Sequence, residues 1–472
     1  MRRRVENCEY CLEGANNEVE VLSHYNDGLT DKRTYRYVEK LHVDKLSTKL
    51  DFKNLLIGEL IYDDIYDCDI NIENCIVIED VDTDFALFNG RVSYAGTIFL
   101  GNCEFTGNYN DNCSFENTSF LGKRISFNES DFHFVNFQLM YAKNSDINFF
   151  LTYFECEEFL FNDTEFVDTK VKFEGTVFKN VDLFNFIGIE SNNEIIFNRV
   201  NFDCTEIRWF KSNIHKLAFV TCEFQCKNAD FEMSCEMLIL HEGMNAKIMN
   251  FQKLQNLKQL DMCDFVNLGR INWNYSAEET IRAFSVKEPT VWGKRGELHI
   301  ADHKELEYEY KFIKDIYVST MQYENQDIMY CAMCRERRKG TFLDKKSLYK
   351  ERKLNPFQYI LYQLKHGVVD CFIEDFMSCY ATSIMRVLMV IVMSIILFAL
   401  IYTPVIVVYD VQSLISKFLS ALYYSGITFF TIGYAEAEFT TSFIKVISII
   451  EGFSGVFLMS YLTAVFVRKL AR

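Results

Sequence analysis

SGITFFTIGYAE, residues 425–436, lies between two long apolar runs, and its reading decides the architecture of the C-terminal region. The run before it, from Val387 to about Val408 (VLMVIVMSIILFALIYTPVIVV), would span about 33 Å as a helix, enough for a bilayer core. The run after it, 446–467, is of similar length and is interrupted by Glu451. The segment 413–430 (SLISKFLSALYYSGITFF) is more polar than either, with several hydroxyls and aromatic rings. It reads as a re-entrant helix shielded by protein, because lipid cannot satisfy the irregular backbone that must follow it. Taken alone, the same segment also fits an amphipathic helix outside the membrane.

Basic residues crowd the approach to the first run: Lys345, Lys346, Lys350, Arg352, Lys353, Lys365 and Arg386. They recur after the second as Arg468, Lys469 and Arg472. The connecting loop sets Asp410, Glu436 and Glu438 against Lys417 and Lys445. By the positive-inside rule both termini are cytoplasmic in a multi-pass membrane protein.

The stretch Thr428-Phe429-Phe430-Thr431-Ile432-Gly433-Tyr434-Ala435-Glu436 has residue types suited to a dehydrated cation. Such an ion needs several oxygens at once. A short extended loop aims consecutive carbonyls at an axis, and four copies make stacked rings. Gly433 permits backbone angles closed to other residues. Thr431 adds a hydroxyl oxygen at the inner end, and Tyr434 wedges the loop against the preceding helix. The stretch resembles the potassium-channel signature T-x-x-T-x-G-Y-G-D, and residues 384–472 resemble the two-transmembrane-helix, single-pore channel family. The resemblance implies a homotetramer in the plasma membrane. It also implies a filter of Thr431, Ile432, Gly433 and Tyr434 that binds potassium ions, flanked by Thr428, Ala435 and Glu436. Gly455 comes nineteen residues after Glu436, about where such channels place a hinge on the inner helix, and Gly452 lies just before it. Close helix packing is the other reading of these glycines.

The resemblance is incomplete at three places. Ala435 stands where the family has its last filter glycine; a left-handed backbone there would cost about 1–2 kcal/mol. Glu436 replaces an aspartate, and the proline often found beyond the filter is missing. Selectivity is therefore open between a potassium-selective pore and a non-selective cation pore. Glu451, an ionisable residue within an apolar run, is expected to face protein or water. It reads as a buried acid bonded to the pore helix or a neighbouring subunit, or as a hydrated carboxylate facing the cavity.

From about 60 to 270 an apolar residue, mostly Phe, recurs every five positions: Phe115-Phe120, Phe127-Phe132-Phe137-Ala142-Ile147, Phe154-Phe159, Phe173-Phe178-Leu183 and Phe197-Phe202-Ile207. Breaks of seven residues separate several blocks. Small or β-branched residues precede many of these by two: Cys103, Cys113, Thr118, Ser130, Val135, Thr164, Thr176, Val200, Cys222 and Ala229. A period of five fits neither strand nor helix. It fits a four-sided solenoid with one pentapeptide per side, whose coils stack on both inward residues. The pattern resembles the pentapeptide-repeat family, which implies a right-handed quadrilateral β-helix. Acidic members of that family imitate DNA, and the net charge here is −17; fusion to a pore favours a tethered regulatory or assembly domain, with no nucleic-acid partner.

The fold class is therefore mixed. A cytoplasmic segment (1–59) precedes the β-helix (60–275). An α-helical hairpin linker (276–355) follows, with a turn or cap at Asn325-Gln326-Asp327. An interfacial juxtamembrane helix (356–382) leads into the α-helical pore domain (383–472). The 16 cysteines read mostly as free thiols. Cys8 and Cys11 form a C-x-x-C that zinc would need further ligands to use, with His24 as a third. Cys331 and Cys334, one helical turn apart, read as packing residues. With no phosphate loop, metalloprotease motif or nucleophile elbow, an enzyme is not expected. The sequence predicts a tetrameric, potassium-permeable channel embedded in a lipid bilayer, gated by an unidentified ligand or partner. A membrane-anchored interaction scaffold that does not conduct is the rival.

Overall fold

A ring on a five-residue side buries too little surface alone, so it needs a ring above and below it. The computed structural model supplies them. It describes residues 4–12, 17–44, 50–244, 246–267, 269–285, 303–351, 353, 355–407, 413–433, 438–439 and 443–470. The chain divides into two units, 1–301 with 312–326 and 302–311 with 327–472.

The first unit is a β-solenoid of short parallel strands. One column of near-parallel rings runs Phe127, Phe149, Phe173, Phe197 and Phe219, with centres 4.4–5.0 Å apart. A second runs Phe88, Tyr109, Phe132, Phe154, Phe178 and Phe202. A third contains Phe115, Phe137, Phe161, Phe186 and Trp209. These rings are fully buried or nearly so. Phe99 pairs with Phe120, and Phe178 with Phe202, so each coil holds more residues than four pentapeptides supply. The surplus sits in the corners, which accounts for the seven-residue breaks. Asn54, Asn74, Asn117, Asn144 and Asn180 adopt left-handed conformations, which asparagine tolerates better than most residues.

The predicted small residues fill the remaining interior positions and are all buried. They also supply bonds that periodicity alone does not reveal. Hydroxyls donate to a carbonyl of the preceding coil: Thr118 to Tyr94 (3.0 Å), Ser130 to Phe105 (2.7 Å), Thr152 to Phe127 (2.7 Å) and Thr176 to Phe149 (2.6 Å). Each buried hydroxyl thus has a backbone carbonyl as its partner. Cys103 and Cys113 occupy equivalent slots, and burial pushes both thiols well up.

Strand structure starts well before residue 60. Val5–Tyr10, Glu18–Tyr25 and Thr30–Val43 form an antiparallel meander, and the last strand pairs in parallel with Leu55–Tyr62. Cys8, Val19, Val21 and Tyr35 cover the apolar end at Leu56 and Ile76. At the other end, helix α1 (Ala277–Ser285) packs beside the last coils, with Trp273 Nε1 donating to Thr280 at 3.1 Å.

Helices α2 (His303–Ser319) and α3 (Tyr323–Lys350) form the expected hairpin. The turn precedes the predicted one: Asn325 lies in the first turn of α3, and its side-chain oxygen accepts from Ala277 N at 3.0 Å. In the second unit, α4 (Pro356–Lys365) starts at an Asn355 cap with proline in its first turn. It continues as a π-helix, His366–Phe376. Phe357, Ile360, Leu361, Leu364, Val368, Phe372 and Phe376 leave an exposed apolar surface along both. Then come α5 (Ile384–Tyr402), α6 (Leu414–Phe429) and α7 (Phe443–Leu470).

Phe149→Ala removes a ring stacked on both faces and should cost about 3–5 kcal/mol. In the full chain, hydrogen-exchange protection should fall in the coils around Phe127 and Phe173, whereas Phe85→Ala, at an exposed corner, should leave it unchanged. Equal effects would contradict the stacking account.

Candidate pore and filter

Among the described residues, α5 and α7 are long and apolar enough to cross a membrane. Helix α6 has 16 residues, about 24 Å, and is too short for a core of about 30 Å. It packs against both: Phe429 joins Val387, Ile391 and Leu458, and Ala421 joins Ala399, Tyr402 and Ile444.

Glu451 sits fully buried on the face of α7 turned toward the other two helices. Tyr402 of α5 donates to Glu451 Oε2 at 2.6 Å. Ser425 of α6 is hydrogen-bonded to Glu451 Oε1 and also reaches Ile395 O at 2.9 Å. Ser448, one turn before Glu451, is 3.3 Å from the Tyr402 hydroxyl and 3.1 Å from that of Tyr424. A polar cluster therefore links α5, α6 and α7 at one level. In an apolar bundle such groups are costly unless bonded to one another. The sequence marked Glu451; its partners were hidden among ordinary serines and tyrosines.

Gly455 lies one turn beyond Glu451. A Cβ there would come within 2.0 Å of Phe429 O, so the glycine lets α7 lie against the end of α6. Gly452 is less crowded, with Thr428 O at 3.8 Å from its added Cβ. Helix α7 runs unbroken through both. Close packing against Phe429 is thus one role of Gly455.

Helix α6 ends in a Schellman arrangement. Ile432 N donates to Ile427 O at 2.9 Å and Thr431 N to Thr428 O at 3.0 Å. Thr431 occupies the left-handed position with φ 54°, where glycine is usual. A β-branched residue there is strained by about 1–2 kcal/mol. Gly433 is left-handed as well, φ 73°. Thr431, Ile432 and Gly433 are exposed in the single chain. They follow directly on the negative end of the α6 dipole, which favours a cation. Tyr434, Ala435 and Glu436 lie outside the described residues.

The other sequence candidates do not converge. Cys8 faces the meander core, 3.7 Å from Ser23, whereas Cys11 is exposed and His24 pairs with Glu9 at 3.1 Å. Among the described residues, no three His, Cys, Asp or Glu side chains are grouped to hold a metal ion.

Residues 385–472 match the model of a family described as ion channel. No curated protein and no solved structure matches the chain. The C-terminal region thus matches an ion-channel domain and holds two helices of membrane length, on the same chain as a β-solenoid.

Gly455→Ala should force α7 away from Phe429 and destabilise the helical unit by about 1–3 kcal/mol. Gly452→Ala should be tolerated. Thermal unfolding of the detergent-purified variants checks the order; equal melting would contradict the packing role.

Proposed function

We propose that the chain is one subunit of a homotetrameric, potassium-permeable cation channel, with Thr431, Ile432, Gly433 and Tyr434 as its filter. The observation that carries this reading is the short helix held between two membrane-length helices and ending two residues before Thr431, within the ion-channel match. One loop per chain cannot surround an ion, and four copies about an axis can. Exposed apolar surface on α5 and α7, including Met389, Val392, Phe453 and Val456, is available to lipid and to neighbouring copies.

Potassium ions occupy the filter in this reading, with Thr428, Ala435 and Glu436 around it. Basic residues at both ends of the domain support cytoplasmic termini by the positive-inside rule, and the reading puts the channel in the plasma membrane. The solenoid then serves as a regulatory or assembly domain. Ala435, in place of glycine, favours a second reading with weaker selectivity, because a changed backbone there alters the outermost carbonyl ring.

Ion-substitution recording in planar bilayers separates the two. The selective reading predicts a reversal potential that follows the potassium gradient. A potential unmoved when sodium replaces potassium would establish the non-selective pore. Absence of current at every voltage, calcium level and pH would favour a non-conducting scaffold.

A further inference from the structure

Around the turn that precedes α5, a few side chains tie three elements of the second unit together. Asp375 accepts from Arg335 (Nη2–Oδ1 2.8 Å) and Arg338 (Nη1–Oδ2 2.9 Å), both on α3. Ser378 and Tyr461 of α7 share a hydrogen bond of 2.7 Å. Arg468, near the end of α7, donates to Tyr380 O at 2.6 Å and lies over the Tyr330 ring of α3, 4.6 Å from its centre. The turn holds three successive non-glycine residues in left-handed conformations: Cys379 (φ 50°), Tyr380 (56°) and Ala381 (60°). Such a turn persists only where its surroundings hold it.

Two cysteines sit inside this junction. Cys331 of α3 and Cys379 of the turn are buried, with their sulfurs 2.6 Å apart. Cys331 Sγ lies 2.9 Å from Cys379 O and 3.2 Å from Thr382 Oγ1. Arg335 Nη2 donates to Cys379 Sγ at 3.7 Å. We propose that Cys331 and Cys379 are a redox-active dithiol, and that oxidation by a hydroperoxide clamps α3 to this turn and restrains the C-terminal end of α7. The gating consequence rests on the channel reading; the dithiol itself does not.

Cys379 is the attacking group. Its thiolate displaces hydroxide from hydrogen peroxide: an S–O bond forms, the O–O bond breaks, and Cys379 becomes a sulfenic acid. The Cys331 sulfur then attacks the Cys379 sulfur. An S–S bond forms, the S–O bond breaks, and the departing hydroxide takes the Cys331 proton as water. Two electrons leave the thiols and reduce one peroxide. The surroundings favour these roles. The hydrogen bond shared with Cys331, then the Arg335 and Arg386 guanidiniums, hold the Cys379 thiol below the usual range against the effect of burial. The same hydrogen bond and burial push Cys331 up. Cys226 is also lowered, through its hydrogen bond with Cys204, with no arginine among the causes. The solenoid thiols Cys103, Cys113, Cys156 and Cys235 are pushed up by burial, as inert packing residues are.

The clamp matters because Arg468 and Tyr461 bind the same turn. Any movement of the end of α7 must carry the turn with it or break both contacts, and a covalent link to α3 resists either.

The test uses full-length protein in liposomes, treated with hydrogen peroxide, quenched and divided. One half is digested without reductant for peptide mass analysis, and the other is assayed for rubidium uptake before and after dithiothreitol. A linked Cys331–Cys379 peptide pair is expected. Uptake should fall roughly tenfold, equivalent to about 1.4 kcal/mol, and recover with dithiothreitol. Cys331→Ser and Cys379→Ser should abolish the response, and Cys334→Ser should keep it; alanine at either position serves if serine prevents assembly. The dithiol is overturned if other thiols oxidise and this pair does not link. The gating role is overturned if the pair links without changing uptake, or if Cys379→Ser responds like wild type. Untreated protein that takes up no rubidium would defeat the channel reading instead, and the peptide map would still decide the dithiol.

Discussion

A carboxyl group carried into an apolar helix bundle must find hydrogen-bond partners there, and Glu451 finds them on both other helices. Tyr402 and Ser425 fix α5 and α6 to α7 at one level. One turn further, Gly455 lets α7 close against the last carbonyls of α6. A short helix has little apolar surface with which to hold its own position. Here a polar cluster and a glycine contact hold it at its C-terminal half. The position and direction of the chain leaving α6 follow from that, including the left-handed Thr431.

The arrangement leaves one chain incomplete. Thr431, Ile432 and Gly433 are exposed rather than covered. So are large apolar side chains along α5 and α7. Lipid satisfies an apolar face but cannot satisfy the carbonyls of an irregular loop. In the proposed tetramer, further copies of the same chain arranged about an axis surround those carbonyls.

The sequence disclosed features set by residue type and spacing. The five-residue Phe period revealed the solenoid because each inward ring needs a like ring in the next coil. The apolar runs revealed the two helices of membrane length. Features set by encounters between distant residues were not legible. The meander at 5–43 has strand-like alternation, but nothing in it says that Tyr35 will cover the solenoid end. Glu451 was conspicuous, whereas Tyr402 and Ser425 became its partners only through helix packing. Arg468 counted as a positive-inside charge, and its bond to Tyr380 depends on a turn no pattern announced. Cys331 had Cys334 as its visible neighbour, while its actual partner, Cys379, is 48 residues away. Gly455 reads as a hinge or as a packing glycine; its close approach to Phe429 O is not legible in a glycine pattern.

In the proposed channel, the loop after α6 becomes a cation site only when copies surround an axis. Native mass spectrometry of the full chain in mild detergent tests it most directly. The account predicts a dominant species of four chains, each of 55.5 kDa. Single chains or dimers at every protein concentration, with no larger species, would contradict it.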